Sequence, residues 1–207
     1  MHRHNNQITK PRRSVGAFKM DMERIIKIIE DINKNKRLLV IGIDGPCASG
    51  KTTLAAKLSK EFGAQVIHTD DFFLPFEMKT SERLLQPGGN IHYERFCREV
   101  AKGIATGKEF EYGVYRCSDG MIAEKKTVVP EGIIIIEGSY SLHPSMSVDY
   151  DLRVFVEASI EVRLERILER NGSEKLEVFK EKWIPMENEY FEYFGIKEKC
   201  DIIIEQK

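Results

Sequence analysis

The chain has 207 residues, 42% of them hydrophobic and 31% charged, a size and balance that fit one globular domain with a sizeable core. Its 32 Lys and Arg against 33 Asp and Glu leave a formal net charge of −1, which removes any overall electrostatic case for a nucleic acid or membrane partner. No apolar run approaches the roughly 18 residues of a membrane span, and the polar, basic start lacks the apolar stretch of a signal peptide.

Residues 1–19 carry Arg3, Lys10, Arg12, Arg13 and Lys19 and no acidic residue, and they read as a basic flexible tail before a single domain over 20–207. Asp21 can cap a first helix whose Met22, Ile25, Ile29 and Ile32 share one face. Leu38 to Ile43 is then an apolar run of strand length. Gly45-Pro46-Cys47-Ala48-Ser49-Gly50-Lys51-Thr52 follows it directly and fits G-x-x-x-x-G-K-[ST], the phosphate-binding P-loop. Leu54, Leu58 and Phe62 recur after it at helical spacing. The motif thus sits between a strand and a helix, where its chemistry requires it. Gly45 and Gly50 allow a tight turn whose N–H groups converge with the helix's positive end on one point. Residues Gly45, Pro46, Cys47, Ala48, Ser49, Gly50, Lys51, Thr52 and Thr53 are therefore the candidate nucleotide-binding set, with ATP and Mg²⁺ as expected cofactors. Lys51 reaches the terminal phosphates and Thr52 offers its hydroxyl to the metal.

Gln65 to Thr69 reads as a second strand that delivers Asp70-Asp71-Phe72-Phe73 to its carboxyl end, where open parallel sheets keep their ligand crevice. Asp70 is the candidate general base; Asp71 reads as a capping or solvated acid. Leu74 to Asn90 holds Pro75, Pro87, Gly88 and Gly89 and no clear period, so it reads as a long loop over the active face. A helix is expected over Ile91 to Thr106, with Phe96 and Val100 inward. His92 near its start is a candidate substrate contact or merely part of a solvated helix end.

Glu109 to Arg116 and Met121 to Val129, joined by Cys117-Ser118-Asp119-Gly120, predict a β-hairpin inserted at about 109–129. Its Tyr112, Tyr115 and Arg116 can wall a flat ligand or form the polar face of an exposed hairpin. Ile133 to Ile136 reads as a strand buried on both faces, ending in Glu137-Gly138. An acid there can orient Mg²⁺ or its water. Tyr150 to Val156 gives a fourth strand and a helix follows from about Ser159. Arg163, Arg166 and Arg170 lie in one stripe along it. They serve either a lid at about 159–175 closing on a transferring phosphate or a solvent face paired with Glu161, Glu165 and Glu169. A helical, aromatic-rich stretch from Glu174 to Phe194 is interrupted at Pro185, and Ile202 to Ile204 closes the sheet. Cys47, Cys97, Cys117 and Cys200 are too scattered for a C-x-x-C pair, so they read as free thiols of a cytoplasmic protein.

Ile67-His68-Thr69-Asp70-Asp71-Phe72-Phe73-Leu74-Pro75, Glu137-Gly138 and the stretch from Asp151 to Arg170 resemble the uridine kinase family, within the broader phosphoribulokinase/uridine kinase group. The resemblance runs from about Leu38 to Ile204. It implies ATP-dependent phosphorylation of a hydroxyl, typically a nucleoside 5′-OH. It assigns the general base to Asp70, the metal-assisting acid to Glu137, the lid arginines to Arg163, Arg166 and Arg170, and the tyrosine against the base to Tyr115. Asp70, Phe73, His92, Tyr112, Tyr115 and Arg116 are the candidate substrate residues. Two features of uridine–cytidine kinases are replaced: Asn90-Ile91-His92-Tyr93 has no ribose-binding Asp, and no His follows Tyr115.

The expected fold is α/β, a P-loop NTPase with a five-stranded, mainly parallel sheet, helices on both faces, a hairpin insertion and an arginine-bearing lid. The expected partner is a small-molecule acceptor, with neither membrane nor nucleic acid, and a homo-oligomer remains open. Kinases of nicotinamide riboside or pantothenate are alternatives. A regulatory nucleotide switch is a rival of another class, against which stands the absence of an Asn-Lys-x-Asp guanine motif.

Overall fold

The computed structural model describes residues 15–206, with side chains described from Asp21 onward. Most of the basic stretch over 1–19 lies outside the described residues. Helix α1 spans Val15–Asn33, so Asp21 lies within it rather than capping it. Five strands make one wholly parallel sheet in the order β2-β5-β1-β6-β7. They are β1 (Leu38–Asp44), β2 (Gln65–His68), β5 (Gly132–Glu137), β6 (Leu152–Ala158) and β7 (Ile202–Gln206). The remaining strands, β3 (Phe110–Arg116) and β4 (Met121–Val128), form the separate antiparallel hairpin.

The central strands have no polar alternation because helices cover both faces. Leu39, Ile41 and Ile43 of β1 and Ile133 and Ile135 of β5 face one layer, which α1 closes with Ile25 and Ile29. Helix α2 (Lys51–Phe62) adds Leu54 and Leu58 to that layer and ends at Gly63, held at φ +67. Val40, Ile134 and Ile136 face the opposite layer. That layer is built on a helical stretch over Tyr93–Phe96 (α4) and Lys102–Thr106 (α5), joined by a π-helical turn at Cys97–Ala101. Phe96 and Val100 point inward as the periodicity predicted.

The segment from Leu74 to Asn90 is less irregular than its prolines and glycines suggest. It contains a 3₁₀ turn, Phe76–Met78, and a one-turn helix α3 (Ser81–Leu84) capped by Thr80. Beyond β6, helix α6 (Ile160–Asn171) starts at Ser159, whose side chain accepts the Val162 N–H. Helix α7 (Ser173–Val178), a π-helical turn over Phe179–Trp183 and α8 (Ile184–Phe194) then follow one another with no gap in helical backbone. Pro185 sits in the first turn of α8, directly after the π-helical turn.

Candidate active site

The loop between β1 and α2 has the conformation a phosphate cradle requires. Gly45 (φ +141) and Gly50 (φ +106) occupy backbone space closed to most side chains, and Ala48 at φ +59 is a non-glycine residue in the left-handed region. A Cβ on Gly45 would meet the Val156 carbonyl oxygen at 2.0 Å, so this position tolerates only glycine. Lys51 is buried beneath the loop and donates to the Pro46 carbonyl at 2.9 Å.

Asp44 underpins the start of the loop. Its carboxylate accepts the N–H groups of Gly45 (2.7 Å), Leu142 (2.9 Å) and Tyr140 (3.2 Å) and the Tyr190 hydroxyl (2.8 Å). Burial nevertheless pushes its pKa up to about 6, against the pull of those hydrogen bonds and of Lys51. Tyr140 itself is held at φ +75, a strained geometry for a bulky residue that costs about 1–3 kcal/mol.

Glu137, at the end of β5, meets the Thr52 hydroxyl at 3.2 and 3.3 Å and His68 Nδ1 at 2.5 Å. The bond to Glu137 raises the pKa of His68. Gly138 follows at φ +135, and a Cβ there would lie 2.0 Å from Thr69 Oγ1. That close approach aligns the ends of β2 and β5 and sets Asp70 on the 3₁₀ turn Thr69–Phe72. Asp70 is exposed to a cavity, where desolvation by the surrounding protein raises its pKa while Lys51 draws it down.

The cavity has a volume of about 380 Å³, and its walls include Asp70, Phe73, Lys79, Tyr140, Trp183 and Glu187. A second groove of about 260 Å³ runs beside Gly50, Thr53, Arg166 and Gln206. The two spaces share Ala48, Lys51, Thr52 and Arg170. The phosphate loop is therefore their common wall.

The structure brings together Cys47, Ala48, Lys51, Thr52, Asp70, Phe73, Glu137 and Arg170 around the cavity. Arg166 lies on the second groove and donates to the Ala48 carbonyl at 2.9 Å. Arg163 is turned differently: its Nε donates to the Cys47 carbonyl at 2.9 Å, and its Nη2 lies 3.5 Å from Glu187. Four candidate substrate residues lie outside the cavity wall. Tyr112 is 1% exposed, stacks on Phe72 and donates its hydroxyl to Asp71. Tyr115 is buried on β3, Arg116 is exposed and paired with Asp119, and His92 Nδ1 lies 3.1 Å from Glu94. The hairpin's contribution to the cavity is Cys117.

Asp71 is not the capping or solvated acid its sequence position suggested. It is buried and receives Lys126 Nζ at 3.0 Å as well as Tyr112, tying the hairpin to the turn that carries Asp70. Sequence reasoning also missed Asp44, His68, Lys79, Tyr140, Trp183 and Glu187. Asp44 and His68 had a local signal, since each is the last residue of a sheet strand.

The residues at the loop fit a nucleoside triphosphate with Mg²⁺. Ser49 Oγ is buried with no hydrogen-bond partner among the described residues, and Lys51, which donates to the Pro46 carbonyl, lies within electrostatic reach of Asp44 and Asp70. Thr52 and Glu137 offer hard oxygen donors. Two such donors suit Mg²⁺, which takes one or two protein ligands and completes its shell with phosphate and water.

A parallel sheet with such a loop after its central strand, and acids at the ends of neighbouring strands, defines a P-loop nucleotide-binding protein. The chain belongs to the phosphoribulokinase/uridine kinase family, whose model matches residues 40–206. A uridine kinase from Macrococcus caseolyticus is 28% identical over 181 residues, covering 80% of this chain and 86% of that protein. One from Geobacillus sp. is 27% identical over 189 residues, covering 82% and 86%. A solved structure named as a possible uridine kinase from Bacillus stearothermophilus superposes with a TM-score of 0.68 at 20% identity, covering 90% of this chain and 98% of that one. None of the described helices is long and apolar enough to cross a membrane.

Proposed function

We propose that the chain is an ATP-dependent kinase that transfers the γ-phosphoryl group to a hydroxyl of a small molecule, with a nucleoside 5′-OH as the acceptor its relatives' names favour. One observation carries this reading: a groove and a cavity share the phosphate loop as a wall, and the cavity holds Asp70. Transfer between two ligands needs two spaces meeting at the phosphates, whereas a hydrolytic switch needs only one.

In this reading Lys51 and the loop N–H groups hold the phosphates, and Thr52 and Glu137 hold Mg²⁺. Mg²⁺, when bound, offsets phosphate charge. Asp70, held by Gly138 and Thr69 at the mouth of the loop, accepts the proton of the acceptor hydroxyl. Arg166 and Arg170 border the phosphate region and offset charge that develops during transfer. The aromatic walls contributed by Phe73, Tyr140 and Trp183 exclude water and offer flat surface to an acceptor. The four cysteines are free thiols, which supports a reducing, cytoplasmic setting.

The test is ATP turnover with Mg²⁺ against uridine, cytidine, nicotinamide riboside and pantothenate, with a no-acceptor control. Stimulation by an acceptor, abolished in Asp70→Asn, is the expected result. That substitution should lower kcat by about 10²–10⁴-fold while ATP still binds. Full turnover by the variant would remove Asp70 from the base role, and turnover indifferent to every acceptor would favour the switch.

Lys79 favours a second reading of the acceptor. It lines the cavity and lies 6.0 Å from the Trp183 ring, and it has no carboxylate partner among the described residues. Burial lowers its pKa, and Lys182 repels it. A half-buried cation of this kind suits an acceptor with an anionic group, such as pantothenate. Preference for pantothenate over uridine in the same panel would decide for it.

A further inference from the structure

The phosphate loop is gripped from outside by two helices. Glu187 of α8 accepts the Cys47 N–H through Oε2 at 2.9 Å and the Ser139 hydroxyl through Oε1 at 2.7 Å. Arg163 of α6 donates to the Cys47 carbonyl, and Arg166 donates to the next carbonyl, that of Ala48. Both peptide groups of Cys47 are thereby fixed by side chains, immediately before the left-handed Ala48. One turn further along α8, Tyr190 holds Asp44, which in turn holds the Gly45 N–H.

Glu187 and Arg163 are 5% and 6% exposed. A buried carboxylate beside a site for phosphates is electrostatically unfavourable for nucleotide binding, and Arg163 offsets it only in part at 3.5 Å. Its retention calls for a geometric benefit. Ala48 occupies a conformation that residues with a Cβ rarely adopt unaided. Pinning the peptide groups just ahead of it holds that conformation before any ligand arrives, so less ordering accompanies nucleotide binding.

We propose that Glu187 and Arg163 are positioning residues that hold the phosphate loop in its receptive shape, so that nucleotide affinity depends on the reach of the Glu187 side chain rather than on its charge. This rests on the kinase reading above. It also reassigns Arg163, which supports the loop from behind instead of meeting the transferred group.

Two substitutions separate reach from charge. Glu187→Gln keeps an oxygen for the Cys47 N–H and loses the charge; Glu187→Asp keeps the charge and falls one methylene short. The measurement is equilibrium binding of Mg²⁺ and the non-hydrolysable analogue AMP-PNP to the full chain and both variants, with melting temperatures and the KM for the best acceptor alongside. The expected order places Glu187→Gln within about threefold of wild type and Glu187→Asp about tenfold or more weaker, as for the loss of one hydrogen bond. Acceptor KM should move by less than about twofold. Equal binding by all three proteins, or weaker binding by Gln than by Asp, would overturn the proposal and leave the kinase reading intact. Tighter binding by Gln than by wild type would identify Glu187 as a competitor of the phosphates and overturn it too. Wild type that fails to bind the analogue would remove the kinase reading and the proposal together.

Discussion

Asp44 accepts four hydrogen bonds and is fully enclosed, and the enclosure wins: its pKa rises from the ordinary 3.8 to about 6. Folding therefore binds a proton on Asp44 more tightly than the unfolded chain does. The stabilisation from this group is complete below about pH 4 and is lost as pH rises through about 6. At 1.36 kcal/mol for each pKa unit, its full extent is on the order of 3 kcal/mol. Urea melts of wild type and Asp44→Asn from pH 4 to 8 test this: the stability difference, wild type minus variant, should fall between pH 4 and about 6.5 and be flat above. A difference independent of pH would mean that Asp44 stays ionised. Residues of this kind mark the limit of what the sequence makes legible. Lys51 and Thr52 are readable because both belong to one short motif of fixed spacing, Gly45 to Thr52. Glu187 takes its role from Cys47, roughly 140 positions away, and nothing in the aromatic-rich stretch around Pro185 signals it.

Among the elements, the hairpin departs most from its expected use. Strands and turn form where the pattern put them, but Tyr112 points into the core and makes the hairpin part of the site's foundation. Arg95 reinforces this, donating to the Gly113 carbonyl at 2.7 Å and to the Asp71 carbonyl while its guanidinium lies over Phe72. Asp71 is the junction. Asp71→Ala leaves the Tyr112 hydroxyl and Lys126 without their acceptor, and should cost about 1–3 kcal/mol. Hydrogen exchange in β3 and β4 should accelerate with it. Unchanged protection there would show that Arg95 and Glu99, which both bond Gly113, hold the hairpin without Asp71. Periodicity could not separate these alternatives, because a tyrosine on an alternating strand looks the same whether it faces a ligand or a core. The helix α6 shows the same ambiguity resolved by context: its three arginines share a stripe, yet Arg163 is buried on the loop and Arg170 borders both spaces.

At the scale of the molecule, one parallel sheet carries two apolar layers, and the site sits where the ends of β1, β2 and β5 converge. Ligand binding at that edge should stabilise the whole domain. Mg²⁺ with AMP-PNP at a hundredfold its Kd adds about 2.7 kcal/mol, which raises Tm by roughly 5–10 °C in a single transition. A split transition would show that the layers unfold separately. The alternation of strand and helix made this sheet legible in outline, since apolar runs such as Ile133 to Ile136 occur only where both faces are covered. Its strand order carries a consequence for synthesis. The strand that leads into the phosphate loop is flanked by β5 and β6, and Leu38 meets its partner Gly132 about ninety residues later. As the chain leaves the ribosome, β1 and the loop after it emerge long before either neighbour exists. A central strand that ends up buried on both faces thus waits unpaired through much of translation, a window in which its apolar side chains are open to misassociation.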